Sequence, residues 1–288
     1  MFLSNSNINF TNRVLRIWKK AENHAQSSRV KVLQPVHLLT ACLDEKTGVL
    51  GEISLKITLD KSLLKDVMED TSIQRQAFSV FLNVQVTEEV KNVLEVAIIY
   101  MKKYNQIYVN EGHLLKALIT SNVVDHLLSD DNRKTILSLG TTSRDMITHI
   151  GNYTVPIINT HLIRKVNKNE VSELVHFIGK NFSNEWSQTI REAFSLNKPP
   201  VYVAFDDNGD IIGFAAYDIY KNKKCYFGPM GVALSNRVKG IGYSLLHHCL
   251  KDMSDIGYEY AIIGQAGPIE FYEKACNAVV IPSIKFSV

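Results

Sequence analysis

The chain has 288 residues, 45% of them apolar, with 15 glycines and 7 prolines. This composition excludes collagen-like, low-complexity and fully disordered proteins. Thirty-two basic and 29 acidic residues give a net charge of +3, which is too small for the footprint of a nucleic-acid-binding protein. No stretch reaches the roughly 18–20 consecutive apolar residues of a membrane span, and the first residues lack the basic and apolar segments of a signal peptide.

The four cysteines are scattered, and none forms a C-x-x-C pair or a zinc-finger spacing with histidine. A disulfide framework and a zinc site are therefore disfavoured. Reduced thiols are typical of intracellular proteins. We accordingly expect a cytoplasmic protein that uses no metal, with about two domains at roughly 100–200 residues each.

The first half of the chain, from residue 10 to about 150, has the pattern of an all-α domain. Glycine and proline are almost absent from its periodic runs. Apolar residues recur with the 3.6-residue period of a helix face, as in Val14, Ile17, Trp18, Ala21 and Ala25.

The same half repeats itself at a fixed offset of 76 residues. This shift places Thr11 on Thr87, and the His-Leu-Leu run at 37–39 on the same run at 113–115. Matches that extend over about 30 residues without a gap indicate a duplicated unit. Two copies are expected to stack, because each then buries a face that it could not bury alone.

The two copies resemble the double-repeat N-terminal domain of Clp-family AAA+ unfoldases, with Phe10-Thr11 and Val86-Thr87 at the starts of the repeats. The resemblance covers residues 1–150, with repeats at about 10–75 and 86–150. It implies a module that recruits substrates and adaptors, and so a protein partner for this half. No Walker A motif follows it in the sequence.

Some members of that family bind phosphorylated arginine through the threonine at the start of each repeat and a glutamate just before the histidine. Thr11 and Thr87 are present here, but the glutamate positions hold Val36 and Gly112. A guanidinium would lose a charged hydrogen bond worth ~1.5–3 kcal/mol at each site. Phosphoarginine binding is therefore disfavoured, and we expect the two threonines to cap helices.

Residues 151–160 break the helical pattern and form the predicted linker. Beyond it, over residues 161–288, strands and helices alternate. The predicted elements are a strand at 161–166, helices at 170–182 and 185–196, strands at 201–205 and 211–217 joined by an Asn-Gly hairpin, a strand at 225–233, a helix at 242–253, a strand at 258–264, a short helix at 268–275 and a last strand at 278–281.

The motif Arg237-x-x-Gly240-x-Gly242 lies where a predicted strand gives way to a helix. Unpaired backbone N–H groups and the helix dipole make a helix N-terminus suited to a pyrophosphate. The glycines would let the anion approach the backbone, and Arg237 and Lys239 would add charge. The third glycine of a nicotinamide fingerprint is absent, since Leu245 stands there. By itself this spacing also fits an ordinary strand-to-helix turn.

The order of elements in the second half, with this motif and the segment 267–278 (Gly-Pro-Ile-Glu-Phe-Tyr-Glu-Lys-Ala-Cys-Asn-Ala), resembles the GNAT acetyltransferase family. The resemblance covers residues 161–288. It implies an α/β (α+β) acyl-CoA N-acyltransferase domain with a mixed, mostly antiparallel sheet. It also implies acetyl-CoA as cosubstrate and an amine as acceptor.

The resemblance further implies roles for individual residues. The strand that ends near Val232 would splay from its neighbour and offer backbone groups to the pantetheine arm. The pyrophosphate would lie on residues 237–243, with Arg237, Lys239, Gly240, Ile241, Gly242 and Tyr243 as the binding residues. Tyr272 would protonate the departing CoA thiolate, a role that suits a phenol. Tyr272 could equally pack beside Phe271.

The sequence does not identify a general base. The run at 225–230 contains no carboxylate, and the candidates elsewhere are Glu259, Glu270, His247 and His248. Two hypotheses remain. The first is an N-acetyltransferase with a protein-recognition module at its N-terminus. The alternative is a non-enzymatic adaptor with a degenerate CoA-binding domain. The acceptor and the oligomeric state stay open.

Overall fold

The structure, a computed structural model, describes residues 8–69, 84–158, 162–237 and 240–283. The chain divides into two compact units. The first contains Met1–Ser143, Gly267–Glu270 and Pro282–Val288, and the second contains Arg144–Ala266 and Phe271–Ile281. Within the described ranges, no helix combines the length and the apolarity needed to cross a membrane.

The first unit is helical. Its helices are α1 (Asn12–Ser27), α2 (Pro35–Asp44), α3 (Gly48–Lys56), α4 (Lys61–Met68), α5 (Glu88–Lys103), α6 (Glu111–Thr120) and α7 (Asp130–Gly140). Two-residue strands precede α1 or lie between the helices, namely β1 (Asn9–Phe10), β2 (Val32–Leu33), β3 (Gln85–Val86) and β4 (Tyr108–Val109). β1 pairs in parallel with β4, and β2 with β3. The sequence predicted helices throughout and missed these strands, because two residues are too few to show the alternation of a strand.

The predicted duplication appears in the first helix of each repeat. Both α1 and α5 have 16 residues. The hydroxyl of Thr11 accepts the N–H of Val14 at 3.3 Å, and the hydroxyl of Thr87 accepts the N–H of Val90 at 3.4 Å. The prediction that the two threonines cap helices is therefore confirmed.

The second helix of each repeat carries an equivalent buried histidine in its first turn. Nδ1 of His37 accepts the N–H of Gln34 at 3.0 Å, and Nδ1 of His113 accepts the N–H of Asn110 at 3.1 Å. Burial lowers the pKa of both imidazoles to about 4. The two histidines are thus neutral packing residues at ordinary pH.

A buried ion pair joins the two repeats. Nη1 of Arg13 in α1 lies 2.5 Å from Oε1 of Glu111 in α6, and its Nε donates to the hydroxyl of Thr47 at 3.0 Å. Glu111 stands one position before Gly112, where the Clp resemblance places a guanidinium-binding glutamate. Here its carboxylate binds a guanidinium of the chain itself, so the pair contributes to the core of the first unit.

The second unit is built on a seven-stranded sheet in the order β11-β5-β10-β9-β8-β7-β6. Its strands are β5 (Arg144–His149), β6 (Ile163–Lys165), β7 (Val201–Phe205), β8 (Ile211–Tyr217), β9 (Tyr226–Val232), β10 (Tyr260–Ala266) and β11 (Val279–Val280). Its helices are α8 (Val171–Asn181), α9 (Asn184–Ala193), α10 (Ile241–Ile256) and the part of α11 (Ile269–Cys276) that follows Glu270. The β9–β10 pair is parallel and the other pairs are antiparallel. The predicted fold class is confirmed.

The two faces of this sheet are covered by different helices. α8 and α9 share one buried core with alternate residues of β7 and β8, including Val203 and Phe214. The side chains between these positions point to the other face. There the hydroxyls of Tyr202 and Tyr217 each donate to Asp252 of α10 at 3.0 Å. α10 therefore covers the face opposite to α8 and α9.

The boundary between the units differs from the predicted one. The sequence pattern predicted a helical domain up to residue 150 and a linker at 151–160. Instead, β5 is an inner strand of the second sheet, antiparallel to both β10 and β11. Arg144, Met146 and Thr148 are buried in alternation, which is the period of a strand. The units therefore divide after Ser143.

Candidate functional site

The site begins where β9 and β10 separate. The two parallel strands are in register only at Tyr226 with Ile262 and at Phe227 with Ile263. β9 then continues to Val232 without a further β10 partner among the described residues. We call the point of divergence, formed by Phe227 and Ile263 with the glycines that follow them, the fork. Gly228 there has a φ of +122°, a conformation that favours glycine.

Beyond the fork, β9 offers backbone groups to the opening. The N–H of Ala233 donates to the carbonyl of Ile212 at 2.8 Å, on the side of β8. Because hydrogen-bond directions alternate along an antiparallel strand, the N–H and C=O groups of Val232 and Met230 point away from β8. The carbonyl of Val232 accepts Nε of Arg237 at 3.0 Å. These groups line the opening where the GNAT resemblance places a pantetheine arm.

The opening leads to the N-terminus of α10. Gly240 is the N-cap residue with a φ of +76°, and no side chain among the described residues caps the helix there. The N–H groups of Ile241, Gly242 and Tyr243 belong to the first turn, which has no partners within a helix. Partial positive charge at this terminus attracts anions. The terminus therefore has the geometry of a pyrophosphate site.

Gly242 lies against the end of β9. A Cβ atom added to it would meet Val232 Cγ2 at 3.6 Å, and Met230 Cε and Phe271 Cζ at 4.0 Å. These are ordinary contact distances, so packing does not require a glycine at position 242. The structure brings Val232, Arg237, Gly240, Ile241, Gly242 and Tyr243 together at this strand end and helix start. Lys239, the remaining predicted binding residue, lies outside the described residues.

Tyr272 of α11 lies on the α10 side of the fork. Its ring packs edge-on against the ring of Phe227, with centroids 6.3 Å apart, and against Phe271 at 4.9 Å. Burial raises the pKa of the phenol, so Tyr272 holds its proton at neutral pH. A protonated hydroxyl beside the fork is able to donate to a leaving group there.

A second tyrosine lies on the other face of the fork. Tyr226 precedes Phe227, and neighbouring strand residues point to opposite faces. Its hydroxyl donates to Oδ1 of Asp145 at 3.4 Å, and the N–H of Gln265 donates to the same oxygen at 2.8 Å. Burial raises the pKa of Tyr226 to about 12.

The ring of Tyr226 lies directly over Gly264. A Cβ atom on Gly264 would come within 2.1 Å of the Tyr226 ring and hydroxyl, so only glycine permits this approach. Asp145 was not predicted as a site residue, because the sequence pattern placed residues 144–150 in the helical domain. The adjacent β-branched residues Ile147 and Thr148 were the local signal that could have indicated a strand.

The two carboxylates that the sequence offered as bases are engaged elsewhere. Glu270 belongs to the first unit, where its oxygens accept the N–H groups of Asn12 and Arg13 at 3.1 and 3.0 Å. Glu259 is exposed, and it pairs with Nε2 of His149 at 2.6 Å. Neither contact is with a residue of the fork.

The two candidate histidines are packed in α10. Burial lowers the pKa of His247 to about 4, and Tyr153 hydrogen-bonds its Nδ1. His248 stacks on Tyr202 with ring centroids 5.0 Å apart, and burial lowers its pKa as well. Both imidazoles are therefore packing residues of α10.

Two family models match the chain. Residues 9–130 match the Clp repeat N-terminal domain, and residues 171–278 match the acetyltransferase (GNAT) family. The predicted combination is confirmed: the chain joins a Clp N-terminal repeat domain to a GNAT-family domain. The second unit is therefore of the acyltransferase type. β5, which supplies Asp145, lies outside the range that the GNAT model matches.

Solved structures resemble parts of the chain. The GCN5-related glucosamine N-acetyltransferase region of a fungal multi-domain beta-N-acetylglucosaminidase is 19% identical, over 49% of this chain and 20% of that one, with a TM-score of 0.42. The GNAT-family N-acetyltransferase YhbS of Escherichia coli, in complex with CoA, is 18% identical over 36% and 63%, with a TM-score of 0.29. The chain thus spans less than two thirds of either protein.

The first half has its own structural relative. The N-terminal domain of the chaperone ClpD of Arabidopsis thaliana is 19% identical, over 47% of this chain and 97% of that one, with a TM-score of 0.36. The comparison with curated proteins gives no match.

Proposed function

We propose that the protein is an N-acetyltransferase that moves an acetyl group from acetyl-CoA to an amine, with the Clp-type unit as a protein-recognition module. One observation carries the proposal: the opening between β9 and β10 leads to an N-terminus of α10 that no described side chain caps. An open strand edge that ends at an anion site suits an elongated ligand with a diphosphate at one end.

Three parts of the ligand have a proposed counterpart in the opening, namely the pyrophosphate, the pantetheine arm and the thioester. The N–H groups of Ile241, Gly242 and Tyr243 would hold the pyrophosphate, and the guanidinium of Arg237 and the ammonium of Lys239 would add charge. The backbone groups of Val232 would bind the amides of the pantetheine arm. The thioester would then reach the fork, where Tyr272 lies.

The reaction requires no covalent enzyme intermediate. The amine nitrogen attacks the thioester carbonyl carbon, a C–N bond forms and the C–S bond breaks. The phenol of Tyr272 gives its proton to the departing thiolate, since burial keeps that proton on the oxygen at neutral pH. A positioned proton donor of this kind contributes roughly 10²–10⁴-fold in rate.

The CoA site is tested by two glycine substitutions in one helix. Gly242→Ala should keep or raise stability, because the added Cβ makes ordinary contacts and alanine favours helix. It should nevertheless weaken CoA binding at least tenfold, because the methyl group shields the N–H groups. Isothermal titration of the full chain with CoA and with acetyl-CoA measures the effect.

Gly257→Ala is the matched control at the other end of α10. Gly257 has a φ of +103°, so alanine there costs stability, by about 1 kcal/mol. CoA affinity should stay unchanged, since this terminus carries the opposite partial charge. Equal CoA affinity in wild type and Gly242→Ala, or no binding by wild type, would contradict the proposed site.

The adaptor hypothesis has its own support in the Clp repeat match at residues 9–130. It predicts that the chain binds CoA but has no transferase activity, so that acetyl-CoA yields no free CoA with any amine. Thiol release measured against a panel of small amines and peptides separates the two functions.

A further inference from the structure

We propose that Asp145 is the general base that accepts the proton of the incoming amine, with Tyr226 as the residue that positions its carboxylate. The inference rests on the proposed function and supplies the group that the sequence left unidentified. It places acid and base on opposite faces of the fork, the acid on α11 and the base on β5.

The positions of the acid and the base follow from Tyr226 and Phe227, the two residues of β9 that pair with β10. Phe227 faces α11, where its ring contacts Tyr272. Tyr226 points to the other face, and its ring lies over Gly264, on the β10 side of the fork. A thioester between the separating strands would therefore have the Tyr272 phenol on one face and the Tyr226–Asp145 pair on the other.

The hydrogen bonds leave one carboxylate oxygen for the reaction. The hydroxyl of Tyr226 and the N–H of Gln265 both donate to Oδ1 of Asp145. No described residue donates to Oδ2. The two donors orient the carboxylate. Because the side chain is only half-buried, it is still accessible to an approaching amine.

The step balances with the groups named. The nitrogen lone pair forms the C–N bond while the carbonyl π electrons move to oxygen. When the tetrahedral intermediate collapses, the C–S bond breaks and the thiolate takes the proton of Tyr272. The nitrogen gives its proton to Oδ2 of Asp145. Exchange with solvent returns the proton from Asp145 to water and restores the phenol of Tyr272.

Asp145→Asn separates this chemistry from a structural role. The amide oxygen of asparagine can still accept both hydrogen bonds, but it cannot take the proton of an amine. CoA release from acetyl-CoA should fall about 100-fold or more in kcat, while the KM and the Kd for acetyl-CoA and the melting temperature stay unchanged. Tyr226→Phe should lower kcat by less, because it removes only one of the two donors.

The assay follows CoA release from acetyl-CoA by the full chain with a thiol reagent. The acceptors are lysine, spermidine, glucosamine and a peptide with a free amino terminus, and a further reaction contains water as the only acceptor. Glu259→Gln is the matched control, because it neutralises a carboxylate that contacts no fork residue. Its kcat should equal that of wild type.

Each outcome decides the matter. Wild-type kcat in Asp145→Asn, with loss only in Asp145→Ala, would assign Asp145 a purely structural role and overturn the inference. Binding of acetyl-CoA with no CoA release to any amine or to water would overturn it too, because a base that faces a thioester also activates water. Absence of acetyl-CoA binding would refute the proposed function itself.

Discussion

Two buried histidines make the first unit sensitive to acid. His37 and His113 have pKa values lowered to about 4 by burial, against an ordinary value near 6.5. Between pH 4 and pH 6.5, the two histidines bind protons in the unfolded chain but not in the folded unit. Stability is therefore full above pH 6.5 and is lost as the pH falls toward 4, by about 2 kcal/mol for each histidine between pH 7 and pH 5.

The double variant His37→Gln, His113→Gln should lose most of this pH dependence. Glutamine at the third helical position also returns a hydrogen bond to the N-cap N–H, so the caps are retained. Denaturation followed by Trp18 fluorescence in a Trp186→Phe background reports on the first unit alone, since the chain has two tryptophans. An unchanged slope of stability against pH would show that other groups carry the acid sensitivity.

Residues of the candidate site were predictable from the sequence where their signal is local. Gly240 and Gly242 stand in one short motif, and Tyr272 lies within the recognisable segment 267–278. Asp145 is different, because only the pairing of β5 with β10 brings it to the fork. There its carboxylate accepts the N–H of Gln265, which lies 120 residues away in the chain. Such a contact depends on tertiary register, and no spacing in the sequence reports it.

At the scale of elements, β5 completes the sheet of the second unit. Met146 is fully buried, and β5 pairs with β10 from residue 144 to residue 149. Without it, the buried residues Ala261 and Ile263 of β10 would lie on an open sheet edge. An exposed apolar edge favours aggregation.

A fragment of residues 144–288 should therefore unfold cooperatively and bind CoA, whereas a fragment of residues 151–288 should lose cooperative unfolding. The two differ by β5 and the following residue. Circular dichroism melting and CoA titration of both fragments make the comparison. Equal melting temperatures would mean that β5 contributes nothing to the sheet, and would contradict the observed pairing.

The elements with strong local signals were predicted closely. The Asn208-Gly209 turn does join β7 to β8, with Gly209 at a φ of +86°. The helix predicted at 242–253 is α10, which extends to Ile256 because Gly257 ends it in a left-handed conformation. β5 escaped prediction because it is a short strand after a largely helical half, whose sequence pattern favours more helix.

At the scale of the whole molecule, the chain joins two units, and each contains all or most of the match to a different family model. In the Clp repeat domain, Arg13 and Glu111 form a buried ion pair with each other. In the GNAT-family domain, β9 separates from β10 next to an N-terminus of α10 that no described side chain caps. The proposed function places catalysis in the second unit and recognition of a protein partner in the first.

Hydrogen exchange of the full chain with and without CoA tests whether CoA binds along β9 and at the N-terminus of α10. The N–H groups of Val232 and of residues 240–243 should exchange more slowly with CoA bound, because each gains an acceptor. α1 to α7 serve as the internal reference and should not change. Protection at the start of α10 is the result that we predict. Saturating CoA that leaves these N–H groups unprotected, or that protects the first unit instead, would contradict the account.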